Sequence, residues 1–273
     1  MRLHHSFLIL GLAVPLVGSS SALAKAEKAP AREPISFGTL QAPGLEAARG
    51  QALAWLKGVG KADATMQKKF DAVWQEADRP LLDKVADTLA LGDAQAAKLL
   101  AEARDPEGAA PTRVPEVLKD AKRPAFYRAN LALAYAKALS NRRVYEEALD
   151  ALKAAKPDQV VDPAGYFFHK AVAEHALLLP QEASRSIVGV LEDVADAPER
   201  YKLVSMLMLY DMQSWRDKDL GEIARKMDNI ERRLELARGG PHTQKIQKEV
   251  VARLDEIIKK LEAQKKGNGN GGC

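Results

Sequence analysis

Few residues in this sequence have the types and spacing that reactive sites require. The run Gly58-Val59-Gly60-Lys61 invites comparison with a phosphate-binding loop. That motif needs a Gly where Trp55 stands, and a magnesium-binding Ser or Thr where Ala62 stands. The two glycines are better explained as a helix terminator. Arg238-Gly239-Gly240 occurs once, at a predicted helix end, so turn formation explains it better than nucleic-acid binding.

The histidines and acidic residues do not form an evident catalytic or metal-binding pattern. His169 and His175 are six residues apart on one predicted helix, hence about 240° apart around its axis, and cannot chelate one metal ion together. We expect each histidine either to be packed against other side chains or to expose only the tip of its ring to solvent. The carboxylates are scattered, many at helical spacing from Lys or Arg, and nothing marks two of them as a glycosidase pair. The prediction is a non-enzymatic protein with no cofactor and no metal.

The composition is that of a globular chain. Of the 273 residues, 47% are hydrophobic and only 5% are aromatic, which is unlike a disordered sequence. The 41 Lys and Arg oppose 37 Asp and Glu, and the net charge of +4 implies no dominant basic face for nucleic acid. A single Cys excludes an internal disulfide framework and a cysteine-based zinc site.

The first 24 residues have the order of a Sec-type signal peptide. Arg2 precedes an apolar stretch over 7–17, and a small, polar segment ends in Ala22-Leu23-Ala24, with cleavage expected after Ala24. Eleven apolar residues are too few to cross about 30 Å of hydrocarbon. The mature chain is therefore expected to be soluble, periplasmic or extracellular, with no stable membrane insertion.

The apolar spacing of the remaining sequence predicts helices throughout. Residues 25–44 are rich in Ala, Pro and Lys without periodicity and predict a disordered linker. Apolar residues then recur at steps of three and four and predict an N-terminal helical lobe over 45–104. Three prolines predict a loop over 105–115. Strand patterns are almost absent, so the predicted fold class is all-α.

The middle of the sequence repeats a pattern every 39 residues. Tyr127 and Ala132 recur as Tyr166 and Ala171, and a third unit places Tyr201 at the same position as the first two tyrosines. Each unit pairs a first helix rich in small residues with a second helix rich in large aliphatic residues. This combination lets paired helices approach closely and stack.

The first unit resembles a tetratricopeptide (TPR) repeat. The resemblance rests on Leu131-Ala132-Leu133-Ala134-Tyr135, then Tyr145-Glu146-Glu147-Ala148-Leu149-Asp150-Ala151-Leu152 and Pro157. The period departs from the usual value of about 34, and Asn141-Arg142-Arg143 occupies the turn where a small residue is expected. The resemblance implies stacked antiparallel helical hairpins over 116–214, a TPR-like α-solenoid, and a groove that binds a peptide or protein partner.

Aromatic residues on the first helices are the candidates for that groove, because successive first helices line one concave surface. Core packing is the alternative, since a chain with few aromatic residues tends to bury them. Arg142 and Arg143 nearby favour an acidic partner, or else belong to a solvated face. The candidate groove residues are Tyr127, Tyr135, Tyr166, Phe168, Lys170 and Tyr201.

The C-terminal quarter predicts an antiparallel helical hairpin, or short coiled coil, over 215–264. Apolar residues step at three and four on both sides of Gly239-Gly240-Pro241. These stripes are expected to pack on each other, on the repeats or on a second chain. The stretch 231–255 is also similar to a C-terminal segment of exported planctomycete-type bacterial proteins, and this similarity implies no activity.

A flexible tail predicted over 265–273 ends in Cys273. If the hairpin forms a homodimer, the tails meet and a Cys273 disulfide locks the pair; an incidental terminal Cys is the alternative. The expected function is a protein–protein adaptor or scaffold in the bacterial cell envelope. The alternatives are a structural protein that assembles through its C-terminal hairpin and, more remotely, an enzyme with an unmarked helical active site.

Overall fold

Consecutive α-helices joined by short loops make up the part of the chain that the structure describes. The computed structural model describes residues 37–61 and 63–268, with side chains as far as Lys265. In these residues the extended pairing is a single parallel bridge between Leu40 and Val194, and the all-α class is confirmed. The predicted signal peptide and Cys273 lie outside the described residues. The helices are α1 Leu45–Gly58, α2 Ala64–Gln75, α3 Leu81–Gly92, α4 Ala94–Arg104, α5 Glu116–Lys119, α6 Ala125–Asn141, α7 Tyr145–Leu152, α8 Pro163–Ala176, α9 Pro180–Val188, α10 Glu199–Gln213, α11 Leu220–Glu235 and α12 Pro241–Asn268.

Local sequence signals account for many of the helix ends. The side chain of Asp162, a residue type favoured at helix N-caps, accepts a hydrogen bond of 2.7 Å from the Gly165 N–H at the start of α8. Pro163 and Pro180 occupy the first positions of α8 and α9, where a missing N–H costs nothing. These residues therefore set where the helices begin without help from distant parts of the chain.

The N-terminal helices share one hydrophobic core with the middle of the chain. Phe70 of α2, Leu89 of α3 and Leu131 of α6 belong to the same buried cluster. Trp55 of α1 stacks on Tyr127 of α6, with ring centroids 5.4 Å apart. The predicted loop over 105–115 thus separates two sets of helices along the chain, but the core continues across it.

The helices from α6 to α10 pack as pairs. α7 lies on α6, α9 lies on α8, and α10 lies on α8, α9 and the π-helical turn Gly189–Asp193. Between α8 and α9, the Ser186 hydroxyl donates a buried hydrogen bond of 2.6 Å to Glu174. Gly189 permits the close approach of this turn to α8, because a Cβ there would overlap the ring of Phe167.

The prediction that residues 25–44 are disordered is wrong for residues 38–40. The N–H of Gly38 donates to the carbonyl of Glu192 at 2.7 Å, and the N–H of Ala195 donates to the carbonyl of Leu40 at 3.0 Å. The cause lies outside the segment itself. The wide turn that ends α9 leaves backbone groups at 192–195 available, and an extended segment satisfies them.

The C-terminal hairpin forms as predicted, with α12 starting at Pro241. Ile223 and Ile230 of α11 pack against a stripe on α12 that contains Val250. A polar contact fixes the hairpin to the body: Arg232, which is almost fully buried, reaches Glu146 on α7. No helix in the described part of the chain is long and apolar enough to cross a membrane.

Candidate interaction surface

The structure buries the four tyrosines that the sequence assigned to a groove. Their relative exposure runs from 0% to 9%, so they cannot line a surface open to a partner. The groove prediction is wrong for these residues, and core packing is the correct alternative. The physical reason is that α6 and α8 are covered by helices on several sides, and that the first turn of α10 packs against α8. The four residues are Tyr127, Tyr135, Tyr166 and Tyr201.

Tyr127 shows what these rings do instead. Its hydroxyl donates a 2.7 Å hydrogen bond to Asp93, the N-cap of α4, and the guanidinium of Arg123 lies over its ring. Burial and the neighbouring Asp93 carboxylate both raise the pKa of the Tyr127 hydroxyl. The phenol therefore remains neutral and joins α6 to the N-terminal helices.

The remaining two groove candidates are partly exposed. Phe168 stacks on Tyr201, with ring centroids 4.1 Å apart and planes within 10° of parallel, and so attaches α8 to α10. Lys170 is about one third exposed and lies 3.9 Å from the buried carboxylate of Glu174. Arg142, which the sequence associated with an acidic partner, donates instead to the carbonyls of Glu102 and Gly108.

The two histidines of α8 have different surroundings. Burial, reinforced by the charge of Lys137, lowers the pKa of His169 to about 4, so this ring is neutral at physiological pH. His175 lies near the surface with its Nε2 2.9 Å from Asp211, and Trp215 donates to the same carboxylate at 3.0 Å. Among the described residues, no group of three His, Cys, Asp or Glu side chains is placed to hold a metal ion.

An exposed apolar face lies on α10 and was not predicted from the sequence. Leu203, Met206, Leu207 and Tyr210 follow the i, i+3, i+4, i+7 spacing of one helix face, and each is about one half to three quarters exposed. We call these four residues the open face. The run from Leu203 to Tyr210 is apolar nearly all round, a pattern typical of helices packed on every side, yet one side of it is exposed among the residues that the structure describes.

On α8, the corresponding face is packed against neighbouring helices. Ala171 lies in a buried cluster with Ile187 of α9 and Met208 of α10, and Val172 packs against the same cluster. His175 contacts Asp211 of α10. Within the described residues, the face of α8 is therefore in contact with other helices, whereas the open face of α10 is exposed apolar surface.

The comparisons with known proteins give no relative. No protein-family model, no curated protein and no solved structure matches this chain. Inference about its function therefore starts from the exposed surfaces and their chemistry.

Proposed function

We propose that this protein is an exported, non-enzymatic adaptor of the bacterial cell envelope, and that its open face binds a helical segment of a protein partner. The observation that carries the proposal is the row of exposed apolar side chains on α10. Monomeric soluble proteins seldom leave a contiguous apolar patch of this kind unless it binds something.

The internal repeat indicates what kind of partner fits. The open face corresponds, at an offset of 35 residues that also relates Tyr201 to Tyr166, to four residues of α8: Phe168, Ala171, Val172 and His175. Those four residues contact α9 or α10. In a TPR-like stack, the open face is thus the surface on which the next helix would lie. A helix from another protein can take that place.

The chemistry of the open face favours an amphipathic helix over an extended peptide. The face offers two leucines, a methionine and a tyrosine, and no backbone edge with which a strand could pair. Helices that dock in this way present residues at i, i+3, i+4 and i+7, which is the spacing of the open face itself. Stacked repeats end in polar capping helices when nothing further binds, and α10 lacks such a polar outer face.

A site-specific cross-linking experiment tests the proposal. A photoreactive amino acid replaces Leu207 in tagged protein spanning Lys25–Cys273, and the protein is exposed to envelope extract and illuminated. The matched control carries the same amino acid at Leu45, which is similarly exposed at the start of α1. We expect a partner to be cross-linked at position 207 but not at position 45. The cross-linked segment of the partner should have apolar residues at helical spacing.

Charged variants show whether the cross-linked partner binds the open face or only lies near it. Leu207→Lys should abolish capture of that partner, because it places a charge within the open face. Leu45→Lys places the same charge at an exposed leucine outside the open face and should leave capture unchanged. Circular dichroism checks that both variants keep the wild-type helix content. Equal cross-linking at both positions, or capture that survives Leu207→Lys, would contradict the assignment of the open face.

A further inference from the structure

The C-terminal hairpin has a second apolar surface that is independent of the open face. On α11, Leu220, Met227 and Leu234 are seven residues apart and about one half to two thirds exposed. On α12, Val251 and Ile258 are also seven residues apart and more than half exposed. We call these five residues the outer face of the hairpin.

The contacts of α11 and α12 place both parts of the outer face on the side of the hairpin away from the body. Arg232 and Asn229 of α11 point toward the body, at Glu146 and the Ala176 carbonyl. Around the axis of α11, the order starting from these residues is Lys226, then the seam residues that contact α12, and then Met227. Lys226 pairs with Glu249 of α12 at 3.4 Å, which marks the body edge of the seam.

The residues of α12 follow a matching order around its axis. Starting from Glu249 at the body edge, the seam residues Ile246 and Val250 come next, and Val251 and Ile258 follow on the far edge. The exposed apolar residues of the two helices therefore lie side by side. The hairpin is apolar at its own seam and also along the adjacent outer face.

An apolar stripe of this width is more than a two-helix seam requires. A coiled-coil seam uses two positions in seven, whereas a helix inside a four-helix bundle uses three. In α12, Val250, Leu254 and Ile257 follow the two-position seam, and Val251 and Ile258 add the third position. The hairpin has the pattern of one half of a bundle.

We propose that the hairpin pairs with the same hairpin of a second copy to form a four-helix bundle, with α11 of each copy against α12 of the other. This inference does not depend on the proposed function. A second copy is the fitting occupant because an outer face of this kind is self-complementary under a two-fold axis. The charges beside the outer face then select one of the two possible two-fold arrangements.

Those charges differ between the two helices. Asp228 and Glu231 lie exposed beside the outer face on α11, and Lys248 and Asp255 lie exposed beside it on α12. Because Lys226 is level with Glu249, Asp228 is level with Gln247, one residue from Lys248, and Asp255 is level with Leu220. A two-fold axis parallel to the helices keeps these levels and places Asp228 of one copy opposite Lys248 of the other.

The perpendicular two-fold axis would give the opposite result. It places α11 antiparallel to α11 of the second copy, and when the axis crosses between Asp228 and Glu231, each of these acids faces the other in the second copy and they repel. The parallel axis also brings both α12 C-terminal ends to the same end of the bundle.

Sedimentation equilibrium of the chain from Lys25 to Cys273, under reducing conditions and from about 1 to 100 µM, tests the dimer. The wild-type protein should be dimeric, and Met227→Glu should weaken the dimer at least about tenfold, because it would bury a charge in the bundle. Leu207→Glu on α10 is the matched control and should not change the dimer. A wild-type monomer over the whole range, or a dimer that Met227→Glu leaves intact, would overturn the proposal.

A charge exchange tests the arrangement. Asp228→Lys should weaken the dimer roughly fivefold by facing Lys248 of the second copy, and adding Lys248→Asp should restore the affinity. Failure of the double variant to recover would overturn the pairing of α11 with α12. Failure of the open face to bind a partner would leave both of these results unchanged, so the two proposals are tested separately.

Discussion

Arg232 of α11 donates hydrogen bonds of 2.8 and 2.9 Å to the two carboxylate oxygens of Glu146 on α7, across 86 residues of sequence. The guanidinium is almost completely buried, with 3% of its side chain exposed, and it also donates to the carbonyl of Arg143. Arg233 and Arg238 reach the same carboxylate. This cluster, rather than an extensive apolar contact, attaches the hairpin to the rest of the protein.

Removing the carboxylate should therefore loosen the hairpin. Glu146→Ala leaves a buried guanidinium without its partner and should cost about 3 kcal/mol in the free energy of unfolding. The matched control is Glu235→Ala, which removes an exposed carboxylate paired with Arg143 and should cost less than about 1 kcal/mol. Urea denaturation followed by circular dichroism measures both. Equal losses would mean that the buried cluster adds nothing beyond a surface ion pair.

The same cluster predicts that the stability of the fold decreases at acidic pH. Burial of the carboxylate opposes ionisation, but the hydrogen bonds and charge of Arg232 outweigh it and hold the pKa of Glu146 at about 2, against 4.5 in the unfolded chain. A depressed carboxylate pKa stabilises the fold fully above about 4.5, and this stability is lost as the pH falls toward 2. The stability difference between wild type and Glu146→Gln should shrink across that window. A difference that stays constant from pH 5 to 2 would contradict the assignment.

The burial of His169 predicts a further loss of stability, at a less acidic pH than that of Glu146. Its pKa is lowered to about 4 in the fold, against 6.5 when unfolded, because burial and Lys137 disfavour the charged ring. Between these values the unfolded chain binds a proton that the folded chain does not, so stability falls as the pH drops from 6.5 to 4. The full effect is roughly 3 kcal/mol. His169→Gln should remove this part of the pH dependence in chemical denaturation, and parallel curves for the two proteins would disprove it.

The reassignment of the tyrosines to the core has a direct consequence for stability. Tyr166→Ala removes a buried ring and should cost about 3 kcal/mol or more in the free energy of unfolding. Leu207→Ala, on the open face, should cost less than about 0.5 kcal/mol. Thermal and urea denaturation of the two variants compare these costs. A neutral Tyr166→Ala would return Tyr166 to the list of surface candidates.

The helices were predictable because their signals are local. The N-cap at Asp162 and the Gly-Gly-Pro turn before α12 depend on residues within one turn of each other, and the structure has both where the sequence places them. The pairing of Leu40 with Val194 was not predictable, since it depends on a wide turn far along the chain.

Which aromatic and aliphatic residues are exposed was harder to predict for a related reason. Whether Tyr166 is buried and Leu207 exposed depends on which helices cover α8 and α10, and apolar spacing alone gives both helices a similar pattern. The partnership of Glu146 and Arg232 is equally invisible in one sequence, because ordinary charged residues at large separation carry no mark of their contact.

The close contact between Gly189 and Phe167 gives a last prediction. A Cβ at position 189 would overlap the Phe167 ring, so Gly189→Ala should force α8 and the π-helical turn apart, at a cost of about 1–3 kcal/mol. Gly58→Ala is the matched control, because nothing lies within 4 Å of a Cβ there, and it should be neutral or slightly stabilising. A smaller partner should relieve the overlap, so Gly189→Ala should cost less in a Phe167→Leu background than in the wild type. Urea denaturation of this double-mutant cycle measures the coupling, and strictly additive costs would show that the ring does not limit the approach of the two elements.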